Sequence, residues 1–162
     1  MARIKVGERI PSGTLGYMSK NGPASLSTDE LFKGKKVALF SVPGAFTPTC
    51  SAKHLPGFVA KARSLKAKGV DTIACVAVND VFVMDAWGKS QSVGNKVLML
   101  ADGNGQFTKS LGLGLDLRKY GLGKRGQRFS MLVENGVVKQ LNLDARGSFK
   151  VSDADTLLKQ IR

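Results

Sequence analysis

The segment TIACVAV (Thr72–Val78) is apolar on both alternations. A strand with one wet face would alternate apolar and polar residues, so this one is covered on both sides. It therefore needs a layer above and a layer below, which points to crossover helices around parallel strands. The flanking sequence supplies the rest. Lys35–Val42 (KKVALFSV) reads as a strand bounded by Gly34 and Pro43, with Val37, Leu39 and Phe40 buried. From Ala52 to Lys68 the residues Leu55, Phe58, Val59, Ala62 and Leu65 recur at helical spacing, predicting a helix that Gly69 ends. Asn79 and Asp80 are placed to cap a helix reaching about Lys89, with Phe82, Val83, Ala86 and Trp87 inward. Val97–Ala101 is a further buried strand and Gln106–Leu111 a short helix. Arg128–Leu143 reads as two strands joined at Asn135-Gly136, a strong hairpin signal. Ser152–Ile161 closes the chain as a helix, with Ser152 and Asp155 as a variant capping box. The order predicts an α/β layer fold with a mixed sheet, parallel where the crossovers lie and antiparallel at the hairpin.

A chain of 162 residues is enough for one domain, residues 1–162, with a sizeable core. No apolar run approaches the ~20 residues of a membrane helix. The start, MARIKVGERIPSG, carries charges where an export leader would be apolar. With only 2 cysteines there is no disulfide framework, so a cytoplasmic location is expected. The net charge of +13 raises the question of nucleic acid. Its basic residues are spread along the chain, however, and the dense run KYGLGKRGQR (Lys119–Arg128) holds a single aromatic, so a solvated basic surface is the expectation.

The stretch PGAFTPTCSAKHLPG (Pro43–Gly57) holds one of the cysteines, Cys50, and the only histidine, His54. Cys50 follows the first central strand and precedes the first long helix, where α/β sheets collect their sites. A thiol at a helix N-terminus meets unpaired N–H groups that favour thiolate. Thr47 occupies the position where a thioredoxin-type dithiol would keep its second cysteine. Its hydroxyl cannot form a disulfide but can donate to or accept from a bound oxygen. The pattern fits a thiolate attacking a small oxygen-bearing molecule.

These residues carry a family resemblance. PGAFTPTCS with the following H-x-PG looks like the active-site loop of type II (V-like) peroxiredoxins. VAVND (Val76–Asp80), FVMDAW (Phe82–Trp87), LADGNG (Leu100–Gly105) and GLGKRGQRFSMLVENGVV (Gly121–Val138) resemble the same family in the same order. The resemblance implies a thioredoxin-like fold with an N-terminal extension, and a thiol peroxidase that reduces hydrogen peroxide and small alkyl hydroperoxides. It assigns Cys50 as the peroxidatic cysteine, Thr47 as the residue that hydrogen-bonds peroxide, Pro43 as the shield of the thiolate, and Arg128 as the cation pointing at the sulfur. Arg125 is a lesser candidate for that cation, and His54 shapes the site rather than serving as a base. Cys75, within TIACVAV, reads by itself as a small core residue. In plant members a matching cysteine resolves the sulfenic acid as an intramolecular disulfide. The reductant implied is thioredoxin on that route, or glutaredoxin with glutathione if Cys75 is inert. A homodimer packing near Phe46 and Phe82 is also implied.

Two other readings compete. One is a redox-sensing binding protein that uses Cys50 beside a basic surface for nucleic acid. A weaker one is a cysteine hydrolase, which would need a third orienting group beside Cys50 and His54. No cofactor is expected, because GLGLDL and DGNG lack the spacing of a nucleotide loop. No metal is expected either, since Cys50, His54 and the distant Cys75 make a poor ligand set.

Overall fold

The computed structural model describes residues 2–161. Its centre is three parallel strands, β3 (Lys36–Ser41), β4 (Thr72–Ala77) and β5 (Leu98–Ala101). On β3 lies β8 (Phe129–Glu134), antiparallel, followed by β9 (Val137–Leu143). On β5 lies a second hairpin, β1 (Thr14–Ser19) and β2 (Gly22–Ser27). The order across the sheet is β2-β1-β5-β4-β3-β8-β9. This is the mixed α/β layer fold expected from the sequence, of thioredoxin-like type.

Alternation on β3 and β4 divides the core into two layers. Ala38, Phe40, Ile73, Cys75 and Ala77 face one layer, while Val37, Leu39, Ala74 and Val76 face the other. The first layer is roofed by α2 (Leu55–Ala60), α3 (Ala62–Ala67), α4 (Val81–Ser90) and α6 (Ala154–Gln160). The second is roofed by α1 (Thr28–Phe32) and α5 (Gln106–Ser110). The continuous apolar run of β4 is explained directly, because each face meets its own core.

Several elements differ from the sequence reading. The helix expected over Ala52–Lys68 opens as a π-turn, Cys50–His54, in which the Leu55 N–H donates to the Cys50 carbonyl. It breaks again at Lys61 between α2 and α3. The stripe survives both irregularities, with Leu55, Phe58, Ala62 and Leu65 all buried. On α4 the inward face is Met84, Trp87 and Gly88, while Phe82 and Ala86, one turn apart, share the exposed side. Gly88 allows a close approach there, since a Cβ would sit 2.8 Å from the Met99 Cγ of β5 and force that side chain to shift. Asp80 caps α4 by accepting from the Val83 N–H at 2.8 Å; the Asn79 side chain is used elsewhere. Asp153, not Ser152, caps α6 by accepting from the Thr156 N–H. Ser152 is drawn away by a buried carboxylate described below. The Asn135-Gly136 turn forms as read, with φ of 48° and 80°.

Two pairs of strands and α1 were not anticipated: β1–β2 with α1 at the start, and the small hairpin of β6 (Gly114–Asp116) and β7 (Lys124–Gly126). Helix α1 has a full capping box, with the Ser27 hydroxyl accepting from the Glu30 N–H and the Glu30 carboxylate accepting from the Ser27 N–H.

Phe40 and Phe58 stack at 4.0 Å between ring centroids, fixing α2 on β3 directly beneath the π-turn. Phe58→Ala is expected to cost about 3–5 kcal/mol of unfolding free energy, measured by chemical denaturation.

Candidate active site

Between β3 and the π-turn the chain must reverse within a few residues, and side chains from distant elements pin it. The Thr47 hydroxyl donates to the Gly44 carbonyl at 2.7 Å. The Asn79 Oδ1 accepts from the Ala45 N–H at 3.0 Å, tying the loop to the end of β4. Phe46 sits at φ 64°, a left-handed conformation that an L-residue adopts only when its surroundings hold it. Helical geometry begins at Pro48, whose missing N–H costs nothing in a first turn. Two residues later Cys50 is delivered into the first core layer with none of its surface exposed.

Arg128, immediately before β8, lies beside this loop, because β8 pairs antiparallel with β3 and Phe129 is the register partner of Ser41. Its Nη2 donates to Cys50 Sγ at 3.1 Å, and its Nη1 is 2.9 Å from His54 Nδ1. The other imidazole nitrogen, Nε2, lies 3.0 Å from the Ser152 carbonyl oxygen. A carbonyl only accepts, so Nε2 carries the hydrogen and Nδ1 offers its lone pair to the guanidinium. Burial, reinforced by the neighbouring Arg128 charge, lowers the His54 pKa to about 3. The ring is therefore neutral at pH 7, with its one lone pair already occupied. That arrangement leaves His54 no capacity to act as a base toward Cys50. It shapes the site by orienting Arg128.

Among the described residues no carboxylate lies within ion-pair distance of Arg128. Its charge is left for the sulfur, and a hydrogen bond from a cation is stronger to S⁻ than to S–H. The Phe149 ring covers the pair, 5.0 Å from the His54 centroid and 5.7 Å from the Arg128 guanidinium carbon. The Ser51 hydroxyl accepts from the buried Trp87 indole at 3.0 Å, fixing the turn to α4. A cavity of about 120 Å³ opens beside Arg128, bordered by Pro43, Thr49, Gln127 and Ser148.

The residues read from the sequence are distributed unequally around this centre. Pro43, Thr47 and Cys50 share the loop, and Arg128 reaches the sulfur as expected. Arg125 does not contact the thiol; its guanidinium holds the Pro43 carbonyl at 3.4 Å and the Leu122 carbonyl at 2.7 Å. The basic run Lys119–Arg128 is thus divided between the β6–β7 hairpin and the site. Cys75 lies at the middle of β4, fully buried, with Phe40 as its register partner. Burial and then the nearby Cys50 push its thiol pKa well above the ordinary value. Cys50 falls in the first turn of the helix, as expected, but the helix widens there into a π-turn, and the direct donor to sulfur is Arg128. Asp144 and Phe149 contribute to the site without a signal in the sequence, and Asn79, Trp87 and Ser152, read only as helix-cap or core residues, contribute as well; of these five, Asn79 and Trp87 sit in segments with a recognisable signature.

A buried thiol in the turn that follows a central strand of a thioredoxin-like sheet, held beside a guanidinium, is an arrangement suited to thiol redox chemistry. Residues 5–158 match the Redoxin family model, and the chain belongs to that family. Within it, the chain is a peroxiredoxin of the type II class found in plants. It is 50% identical over 162 residues to Peroxiredoxin-2B of Arabidopsis thaliana, covering 99% of this chain and 100% of that one. It is also 50% identical to the chloroplastic Peroxiredoxin-2E of the same plant, covering 99% of this chain and 70% of the relative. A crystal structure of reduced Prx3 from Vibrio vulnificus in complex with hydrogen peroxide superposes with a TM-score of 0.95. That pair is 52% identical, over 98% of this chain and 99% of the other. The protein is a thiol-dependent peroxidase, acting on peroxide at the expense of a thiol reductant.

His54 is the only histidine, so the stability of the protein between pH 6 and 5 isolates its titration. Its pKa is about 3 in the fold against 6.5 when exposed, so below pH 6.5 the unfolded chain binds the extra proton. Stability is expected to fall by about 1.2 kcal/mol across that interval, and the slope to vanish in His54→Gln. Urea denaturation at several pH values measures both.

Proposed function

We propose that Cys50 is the attacking thiol for hydrogen peroxide and small alkyl hydroperoxides, and that an external thiol, glutathione with glutaredoxin, completes the cycle. The Cys50 thiolate attacks the nearer peroxide oxygen. An S–O bond forms, the O–O bond breaks, and the second oxygen leaves as hydroxide or alkoxide that water protonates. Sulfur is oxidised by two electrons to sulfenic acid and the peroxide is reduced. Arg128 balances the charge as it passes from sulfur to the leaving oxygen. Because the Thr47 hydrogen is committed to Gly44, its oxygen serves as acceptor for the peroxide O–H. Pro43 limits access of water and bulkier molecules. The peroxide-bound Vibrio vulnificus structure supports this substrate class.

The single observation that carries the external route is the state of Cys75. It is locked at the centre of β4, and its thiol is held protonated by burial. A protonated thiol without freedom to move is a poor nucleophile toward a sulfenic acid. Non-reducing mass spectrometry after one equivalent of peroxide tests this. A Cys50 sulfenic acid, converted to a glutathione adduct on adding glutathione, is the expected product. Turnover should vanish in Cys50→Ser and persist in Cys75→Ser. A dominant Cys50–Cys75 disulfide would overturn the external route, and thioredoxin would then become the reductant.

Phe46 and Phe82 are 55% and 65% exposed, and both belong to elements pinned at the site. We infer that a second copy of the chain covers them. Sedimentation is expected to show a dimer for the native protein and a monomer for Phe82→Asp; a native monomer would refute the pairing. The free thiols accord with a reducing compartment such as the cytoplasm.

A further inference from the structure

Asp144 directly follows β9 and is buried, and it makes no hydrogen bond or ion pair to the thiol or the guanidinium. Its Oδ1 accepts from the backbone N–H groups of Lys150 at 2.8 Å and Val151 at 3.0 Å. Its Oδ2 accepts from the Ser152 N–H at 3.1 Å and the Ser152 hydroxyl at 2.6 Å. Its own N–H donates to the Arg128 carbonyl at 3.0 Å. One residue therefore holds both ends of the relay. Through its backbone it fixes Arg128, and through its carboxylate it folds the loop that presents the Ser152 carbonyl to His54 Nε2 and the Phe149 ring to both.

We propose that Asp144 is a positioning residue for the peroxidase reaction, acting through the Ser152 carbonyl to hold His54 in the tautomer that orients Arg128 toward Cys50. The chain of cause is short. Without the carboxylate the four donors have no common acceptor, and the loop loses its reason to place a carbonyl at Nε2. An imidazole free to carry its hydrogen on Nδ1 presents N–H to the N–H of Arg128. The guanidinium must then turn, and the bond from Nη2 to the sulfur goes with it. Burial alone would raise the Asp144 carboxyl pKa; the bonds from Ser152, Lys150 and Val151 outweigh it and hold the group ionised.

The inference uses Cys50 as the attacking sulfur, and the test separates the two claims. In the native protein at pH 7, nitrogen-15 NMR of the single histidine must show the Nε2–H tautomer; an Nδ1–H ring overturns the proposal without any variant. Asp144→Asn, verified as folded by near-ultraviolet circular dichroism, is expected to populate the Nδ1–H form and to lower kcat/KM for peroxide by roughly 10- to 100-fold. In a His54→Gln background the same substitution should add little, because the relay is already cut. Unchanged peroxide kinetics in a folded Asp144→Asn protein, or losses that simply multiply in the double variant, would refute it. Should Asp144→Asn not fold, Ser152→Ala, which removes only the 2.6 Å hydroxyl bond, must shift the tautomer balance in the same direction. Activity retained in Cys50→Ser would instead strike the assignment of the thiol and leave the tautomer result standing.

Discussion

A guanidinium held against an apolar core has to spend its hydrogen bonds well, and Arg128 spends them on one sulfur and one imidazole. That paired donation, one terminal nitrogen to each acceptor, is the constraint from which the site follows. Arginine stays charged at any relevant pH, so the charge beside Cys50 is permanent. A carboxylate in ion-pair contact would have quenched it. A neutral imidazole with its lone pair aimed at Nη1 satisfies the group without cancelling its charge. Neutral histidine in turn requires burial and a fixed acceptor on its far side, which the Phe40, Phe58 and Phe149 rings and the Ser152 carbonyl provide.

The two-layer core makes this possible. Because β4 is apolar on both faces, the first layer can be deep enough to swallow the π-turn, with the Phe40–Phe58 stack beneath and Trp87 beside it. The same depth explains why two free cysteines in one layer have unlike chemistry. Cys50 receives a charged donor, whereas Cys75 is surrounded by the packing that made its strand recognisable in the first place.

Much of this was legible in the sequence, and the exceptions share a cause. The central strands, the helix stripe and the Asn-Gly hairpin rest on periodicity and turn chemistry, and all appear. Pro43, Thr47 and Cys50 fall in one contiguous string, and Arg128 is found by family likeness. By contrast Asp144, Phe149 and Ser152 lie in LDARGSFKVS, which has no helical or strand period. What Ser152 contributes to His54 is a backbone carbonyl, which no residue type encodes. The N-terminal hairpin is different: Asn21-Gly22 and the Ser27–Glu30 box were readable signals, obscured because the edge strands between them are short and rich in Gly and Ser. The outward turn of Phe82 follows from a narrow inward stripe on α4, where Gly88 lets the helix approach β5 closely.

The π-turn at Cys50–His54 amounts to one residue more than an α-helix would use to cover the same span. An insertion of that kind decouples two registers. Downstream, Leu55, Phe58, Ala62 and Leu65 keep their phase on the sheet, while upstream the thiol is turned by about 100° relative to where a regular helix would hold it. A regular helical turn over the same span would hold the sulfur off the axis of Arg128. Reactivity here is thus written in the length of the backbone as much as in the identity of its side chains. Two chains of this architecture with identical loops could differ in chemistry by the count of residues in one turn.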